Sequence, residues 1–309
     1  MTVFVADLLF KIGNMLYKSY EDLASTIRMN LWKVPDVDLI VGVPRSGMIA
    51  ALMLAELMHK RVADLETFLQ GKTMDCGGRG GLIPPTPYIT RVLILDDTVC
   101  HGVNMTKVKE RLKFLSSYYT FIYACVYTDG AEAKQFVDIY FEDIAGQDGP
   151  LVLYEWNAWH HYEFVTENTM WDIDGLLCKE PPWDSDQKAY EAYLPEAVPM
   201  VIPTTTVGAI VTYRLEKYRE VTEEWLARHG VRYKRLVMFP SDDARERNEM
   251  CPPAKWKAMI YKRHEWAQLF YESSDEQARE IARLTGKPVL AYETGKAYPQ
   301  PLPKGKGER

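Results

Sequence analysis

The chain has 309 residues, a net charge of −6 and a hydrophobic content of 47%. One core usually serves roughly 100 to 200 residues, so this length predicts two domains. Charged residues interrupt the apolar runs well short of the roughly 18 residues that a membrane span needs, and the first residues lack the basic start and the cleavage site of a secretory signal. We therefore expect a cytoplasmic protein without a membrane span. The acidic balance, without a block of Lys or Arg, argues against binding to duplex nucleic acid.

The cysteines predict neither a disulfide framework nor a zinc site, because they are odd in number, widely spaced and without a CxxC pair. We expect reduced and mostly buried thiols at the five positions Cys76, Cys100, Cys125, Cys178 and Cys251.

Apolar strand patterns alternate with amphipathic helical patterns along the chain, which predicts parallel sheets of the α/β class. The first series is VDLIVGV, GMIAALMLAELMHK, RVLILDD, a helix over 102–115, and FIYACVY. The second series is TMWDIDG, GAIVT, RLEKYREVTEEWLARHG, RLVMFP, a helix near Lys257, AQLFYES and PVLAYE. We predict one domain over 1–163 and a second over 164–296. The Pro-, Gly- and Lys-rich residues 297–309 are expected to form a flexible tail.

The segment VLILDDTVCHGVN places Asp96 and Asp97 at the carboxyl end of a predicted buried strand, where ligands bind in open α/β sheets. The turn that follows contains Gly102 and opens a helix, so its backbone amides can hold a phosphate. An isolated Asp-Asp pair would more often cap a helix. An earlier strand, however, runs into the turn VPRSG with Arg45 at its tip. Two anion-binding turns indicate a ligand with two separated phosphate groups.

These two segments resemble the phosphoribosyl pyrophosphate (PRPP) signature and the pyrophosphate loop of type I phosphoribosyltransferases. The resemblance covers residues 15–160 and implies that family's fold, with PRPP and Mg²⁺ bound. It implies that Asp96 and Asp97 bind the ribose 2- and 3-hydroxyls. It further implies a pyrophosphate site at Arg45, Ser46 and Gly47, and a 5-phosphate site at Cys100, His101, Gly102, Val103 and Asn104.

In that family a mobile segment between the two strands closes over the site, and GGRGGLIPPTP, residues 77–87, has a suitable composition. Arg79 would then bring a charge to the departing pyrophosphate. An ordinary exposed Gly/Pro loop is the alternative.

The chain departs from the family at the acceptor side. Purine salvage members carry a carboxylate where Cys100 stands, so a purine acceptor is disfavoured. The segment LYEWNAWHHYEF offers Glu155 as a base and Trp156 as a stacking surface for the acceptor. The alternative is an aromatic packing patch between domains, which we favour for His160 and His161.

The second series begins with MWDIDGLLC, in which Asp172 and Asp174 follow a short apolar strand. The pattern is similar to the first motif of haloacid dehalogenase-like (HAD) phosphatases. The resemblance implies that Asp172 attacks phosphorus and that Asp174 serves as acid and base. It assigns Thr212 and a lysine to the transferring phosphoryl group: Lys257, with Lys255 and Lys262 as rivals. It also implies a Mg²⁺ site formed by Asp172, Asp174, Glu272 and Asp275.

The spacing between these motifs leaves no room for a large cap domain, so we expect a Rossmann-like HAD fold with an open site that suits bulky substrates. A transferase that leaves a 5-phosphoribosyl group, joined to a phosphatase that removes the 5-phosphate, would carry out net ribosylation. The chain thereby resembles bacterial polysaccharide ribofuranosyltransferases that use PRPP, with a glycan acceptor, lipid-linked or free. Synthesis of a nucleoside from a heterocyclic base is the runner-up, and a nucleotide-sensing regulator is a third reading. The sequence leaves the oligomeric state open.

Overall fold

The computed structural model describes residues 15–74, 78, 81, 88–146, 151–181 and 187–298. These residues form two compact units. The N-terminal unit contains residues 18–146, and the C-terminal unit contains residues 151–298 together with 15–17. Both units are of the α/β class. No helix in the described ranges is long and apolar enough to cross a membrane.

The described chain begins with strand β1 (Met15–Lys18), which pairs with a strand of the C-terminal unit given below. The N-terminal unit then forms a five-stranded sheet, and all its neighbouring strands run parallel. Its elements in chain order are α1 (Tyr20–Met29), β2 (Leu39–Gly42), α2 (Gly47–Met58), β3 (Arg61–Asp64), α3 (Leu65–Leu69), β4 (Arg91–Val99), α4 (Val103–Leu112), β5 (Thr120–Thr128), α5 (Gly130–Lys134) and β6 (Ile139–Asp143).

The strand order of this sheet is β3-β2-β4-β5-β6. Strand β2 and residues 92–95 of β4 are buried throughout, as expected for central parallel strands with both faces covered. Alternate residues Leu39 and Val41 pack with Val108 and Leu112 of α4 in one core cluster. The chain order reverses between β2 and β4, so this is the switch point at which ligands bind in such sheets.

The C-terminal unit contains a six-stranded sheet of order β10-β9-β8-β11-β12-β13 and the separate pair β1-β7. The first five strands of the large sheet are parallel, and β13 is antiparallel to β12. Its elements are β7 (Leu151–Tyr154), α6 (Glu155–Ala158), α7 (Glu163–Thr166), β8 (Thr169–Trp171), α8 (Gln187–Glu196), β9 (Ala209–Leu215), α9 (Arg219–Arg228), β10 (Leu236–Phe239), α10 (Ala244–Met250), α11 (Pro253–Arg263), β11 (Leu269–Glu272), α12 (Asp275–Thr285), β12 (Val289–Ala291) and β13 (Ala297–Tyr298).

The switch point of this sheet lies between β8 and β11. Trp171 pairs with Tyr271 in register, and the Asp172 amide donates to the Tyr271 carbonyl at 2.9 Å. Asp172 and Glu272 therefore stand side by side at the carboxyl edge of the sheet, where an open α/β sheet binds its ligand.

The division of the chain differs from the predicted boundary after residue 163, because residues 151–163 belong to the C-terminal unit. The Tyr271 hydroxyl donates to the Ala158 carbonyl at 2.7 Å, and Trp159 packs against Tyr271 and Tyr292. These contacts to β11 and to the end of β12 join the aromatic segment to the second core.

The predicted flexible tail begins too early. Ala297 and Tyr298 form β13 and are each 7% exposed, because pairing with β12 and packing against the core cover them. The rest of that tail lies outside the described residues.

Candidate functional site

The acid pair of the N-terminal unit lies in the last part of β4. Asp96 and Asp97 are each only 7% exposed, and the Asp97 amide donates to Asp96 Oδ1 at 2.9 Å. Burial, and then the negative charge of Asp97, raise the pKa of the Asp96 carboxyl well above its usual range. Two adjacent buried acids are costly to ionise together, so hydroxyl donors or a cation bound here would relieve the repulsion.

The turn between β2 and α2 lies directly beside this pair. A Cβ on Gly47 would be 2.9 Å from Asp96 Oδ1 and 2.9 Å from the Leu95 carbonyl oxygen, so only glycine allows this approach. Arg45 is exposed and Ser46 is half-buried at the start of the helix, and the Pro44–Arg45 peptide bond is cis. The structure thus brings the predicted pyrophosphate residues to the predicted ribose residues.

The turn after β4 also depends on a glycine. Gly102 has φ 65°, and a Cβ there would be 2.1 Å from the Phe136 ring. Gly102 stands at the N-cap of α4, where no side chain caps the helix, and Val103 and Asn104 are exposed. Because the first amides of a helix have no partner within it, this end can accept an anion.

Cys100 is exposed at the end of β4, unlike the buried thiol that was expected. Partial burial of its thiol and the nearby charges of Asp129, Asp97 and Asp96 raise its pKa, so it stays neutral at pH 7. Arg79 lies outside the described residues.

The site of the C-terminal unit is built on a buried lysine. Lys257 Nζ donates to Asp172 Oδ2 at 2.8 Å and to Glu272 Oε2 at 2.8 Å, and the three side chains are 3%, 5% and 0% exposed. The Ser273 hydroxyl donates to Asp172 Oδ2 at 3.1 Å. Of the three candidate lysines, only Lys257 is buried; Lys255 and Lys262 are exposed on α11.

Two carboxylates share this one ammonium, so the cluster has an excess negative charge. Burial, and then the charge of Glu272, raise the pKa of Asp172, while Lys257 opposes this shift. Burial acts to lower the pKa of Lys257, but the two acids outweigh it and the pKa is raised. The lysine is therefore charged at neutral pH, and the site favours a further cation.

The second acid of the motif has a partner that the sequence did not suggest. Arg214 donates to Asp174 through Nη2 at 2.6 Å and through Nε at 3.0 Å, and the arginine side chain is fully buried. The sequence of β9 could have indicated this ion pair. Alternate residues of a strand, such as Thr212 and Arg214, lie on the same face, and an arginine buried in an apolar strand requires an acidic side chain as its partner. Thr212 itself is fully buried inside β9, and its hydroxyl accepts from the Arg214 amide at 3.2 Å.

Asp275 does not reach the predicted metal site. Its carboxylate accepts from Thr294 at 2.6 Å, from Tyr298 at 2.8 Å and from Arg279 at 3.0 Å, at the start of α12. Among the described residues, no group of three or more acidic, histidine or cysteine side chains is arranged to hold a metal ion. The predicted four-residue Mg²⁺ site is not assembled, since Lys257 engages both Asp172 and Glu272 and Arg214 engages Asp174. One or two carboxylates with water and substrate phosphate suffice for Mg²⁺.

A cleft of about 890 Å³ opens above Asp172 and Asp174. Residues of α8, and of α10 with the segment before it, contribute to its lining. Within the described ranges, the lining comes from short segments and not from a separate cap domain. Aromatic and basic side chains contribute to its wall, among them Tyr190, Tyr213, Tyr218, Lys217, Arg245 and Arg247.

The predicted acceptor residues lie in the C-terminal unit. Glu155 packs against Gly295, since a Cβ on that glycine would be 2.4 Å from Glu155 Oε1. Trp156 stacks on Tyr154 with ring centroids 5.0 Å apart. The half-buried His161 has a pKa lowered by burial. The structure brings neither Glu155 nor Trp156 into the unit that contains Asp96.

Comparison with solved structures returns phosphoribosyltransferases over less than half of the chain. The Helicobacter pylori xanthine-guanine-hypoxanthine phosphoribosyltransferase is 18% identical, with 46% of this chain and 92% of that chain covered and a TM-score of 0.34. A purine phosphoribosyltransferase from Pyrococcus horikoshii is 20% identical, with 48% and 95% covered and a TM-score of 0.33. Orotate phosphoribosyltransferase from Aeropyrum pernix is 19% identical, with 40% and 71% covered and a TM-score of 0.30.

No protein-family model and no curated protein matches the chain. Identities below 25% and TM-scores below 0.5 do not assign either unit to a family, so the chemistry of the two sites has to be argued from their residues.

Proposed function

We propose that the chain is a bifunctional enzyme that transfers a 5-phosphoribosyl group from PRPP to an acceptor and then removes the 5-phosphate. The observation that carries the proposal is that each sheet places an acid pair at its switch point, with a different set of partners. Asp96 and Asp97 lie between two helix-opening turns. Asp172 is instead held by Lys257 and Ser273, and Asp174 by Arg214. The first set suits a sugar with two phosphate groups, and the second suits phosphoryl transfer.

In the transfer step, Asp96 and Asp97 accept hydrogen bonds from the ribose 2- and 3-hydroxyls. The turn at residues 100–104 binds the 5-phosphate through the amides that open α4. Arg45, Ser46 and the Gly47 amide hold the pyrophosphate, and a role for Arg79 at the departing pyrophosphate stays a prediction. Mg²⁺, when bound, neutralises the pyrophosphate charge. The residues thereby stabilise the leaving group while the acceptor bonds to ribose C1.

In the hydrolytic step, an Asp172 carboxylate oxygen attacks phosphorus, and the bond from phosphorus to the ribose 5-oxygen breaks. Asp174, held in place by Arg214, gives the leaving oxygen a proton and then takes one from the water that releases phosphate. Lys257 balances charge on the transferring group, and Asp172 and Asp174 would hold a Mg²⁺ that adds further positive charge. The Thr212 hydroxyl, predicted to hold the phosphoryl group, is instead buried in β9 and accepts from the Arg214 amide.

The acceptor that we propose is a glycan hydroxyl, which makes the reaction a ribofuranosylation for polysaccharide synthesis. Two observations favour it: a neutral Cys100 stands where a purine enzyme carries a carboxylate, and the phosphatase cleft is large with tyrosine rings on its wall. Aromatic rings commonly pack against sugar faces. The second candidate, a heterocyclic base converted to a nucleoside, is favoured only by the shared PRPP chemistry.

The acceptor can be identified with the Asp172→Asn variant, which retains the transferase and loses the nucleophile. Incubation with PRPP, Mg²⁺ and separate panels of oligosaccharides and nucleobases, read by mass spectrometry, should add one phosphoribosyl group to an oligosaccharide. Addition to a nucleobase alone would support the second candidate. An Asp96→Asn, Asp97→Asn double variant is the control and should add nothing.

A further inference from the structure

None of the described residues assigned so far to the transferase site takes the acceptor proton, and Asp129, which follows β5, can do so. Strands β4 and β5 are parallel neighbours, and their last paired residues are Val99 and Thr128. Cys100 and Asp129 are therefore the first residues beyond the paired ends, on strands about 4.8 Å apart. The pKa of the Cys100 thiol is raised first by burial and second by the negative charge of Asp129, which agrees with a short distance between these two side chains.

Asp129 has no structural task in the described part of the chain. It stands at the N-cap of α5, yet its side chain does not cap that helix. The Gly130 amide donates instead to Asp143 Oδ1 at 3.1 Å, and the same oxygen binds the Ala145 amide at 3.1 Å. The exposed Asp129 carboxylate has neither a hydrogen-bond nor an ion-pair partner among the described residues.

The strand order places Asp129 on the side that an acceptor must use. Strand β4, with the ribose acids, lies between β2, which leads into the pyrophosphate turn, and β5, which leads into Asp129. Displacement with inversion at ribose C1 requires the nucleophile to approach opposite the leaving pyrophosphate. Strand β5 lies on the side of β4 opposite the β2 turn, so the acceptor would approach from the β5 side.

On this geometry, and resting on the proposed function, we propose that Asp129 is the catalytic base of the ribosyl transfer. The acceptor oxygen forms a bond to ribose C1 while the bond from C1 to the pyrophosphate oxygen breaks. The pyrophosphate leaves with that electron pair. The acceptor proton moves to the Asp129 carboxylate, which later releases it to water. Asp129 thereby supplies the carboxylate that is missing at Cys100.

The test compares Asp129→Asn and Asp129→Ala with the wild type and with two matched changes. Glu132→Gln alters another exposed acid three residues along, on α5, and Glu155→Gln removes the base that the sequence suggested. The probes are PRPP with Mg²⁺ and the same panels of oligosaccharides and nucleobases. The readouts are pyrophosphate release, the dissociation constant for PRPP by calorimetry, and the rate with added formate.

We expect Asp129→Asn to lower kcat by about 100-fold or more, with PRPP affinity within about twofold of the wild type. Formate should partly restore the Asp129→Ala variant, because a small carboxylate can replace the missing base, and Glu132→Gln should match the wild type. The assignment would be overturned if Asp129→Asn turned over like the wild type or lost PRPP binding. It would also be overturned if formate did not restore Asp129→Ala, or if only Glu155→Gln lost activity. If the wild type itself releases no pyrophosphate with any acceptor, the proposed function fails, and the role of Asp129 fails with it.

Discussion

At the residue scale, the C-terminal unit depends on charges that are buried in matched sets. Lys257 is held by Asp172 and Glu272, and Arg214 by Asp174. Removing one member of such a set leaves an uncompensated buried charge, which costs more than the intact set contributes. These side chains therefore serve stability and chemistry together.

Replacing Lys257 by Met should destabilise the C-terminal unit by about 3 to 5 kcal/mol, because two acids would remain in a dry site without their cation. The loss should shrink as the pH falls, since the Asp172 carboxyl, whose pKa is already raised by burial, can take up a proton and become neutral. Guanidinium unfolding at several pH values measures both effects. Lys255→Met, on the exposed face of the same helix, should change stability by less than about 0.5 kcal/mol. Equal midpoints for the two variants would contradict the account of the cluster.

The sequence favoured Lys257 but left Lys255 and Lys262 as rivals. The structure distinguishes them, because the buried residues of α11 are Ala254, Trp256, Lys257, Ala258 and Tyr261. Asp275 was predicted from its distance to Glu272 along the chain. The structure turns it towards Thr294 and Tyr298, and contacts with residues so far along the chain are not visible in the local sequence.

At the element scale, the central strands of both sheets were predicted from sequence because a parallel strand buried on both faces leaves a continuous apolar run. Of the edge strands, β10 was predicted from RLVMFP, whereas β3, β6 and β13 were not. Strand β13 lies in a segment whose composition indicates disorder, and only pairing with β12 makes it a strand. The turn at Gly102 was also predictable, but its contact with Phe136 was not.

The contact between Gly102 and Phe136 can be tested by comparing Gly102→Ala with Gly71→Ala. Gly102 and Gly71 both have positive φ, 65° and 71°, but a Cβ on Gly71 meets nothing within 4 Å. Gly71→Ala should cost about 1 kcal/mol from backbone strain alone. Gly102→Ala should cost about 1 to 3 kcal/mol more because the Phe136 ring must move, and it should weaken PRPP binding at least about tenfold.

Urea unfolding and calorimetry with PRPP measure the two effects. Adding Phe136→Ala to Gly102→Ala provides the control and should recover part of the affinity, since it removes the clash. Equal costs for the two glycine variants would show that the ring does not restrict the turn.

At the scale of the whole molecule, the chain divides where the sequence did not place the boundary. Aromatic residues after 153 indicated the end of the first domain, yet Trp159 packs with Tyr271 and Tyr292 of the second core. Composition detects an aromatic cluster but not which core it joins. The order of the two units along the chain matches the order of the two reactions that we propose.

Two activities on one chain raise the local concentration of the first product at the second site. The two activities that we propose should be separable by mutation, because each acid pair lies in its own sheet. An inactive transferase should therefore leave the phosphatase intact, and the reverse should hold.

The most direct test follows pyrophosphate and inorganic phosphate release together, with PRPP, Mg²⁺ and the identified acceptor, in three proteins. The wild type should release both in equal amounts. Asp172→Asn should release pyrophosphate at the wild-type rate with phosphate lowered by at least about 1,000-fold, and phosphoribosylated acceptor should accumulate. The Asp96→Asn, Asp97→Asn variant should release neither, but should hydrolyse the phosphoribosylated acceptor collected from the Asp172 variant. Undiminished phosphate release by Asp172→Asn would contradict the account.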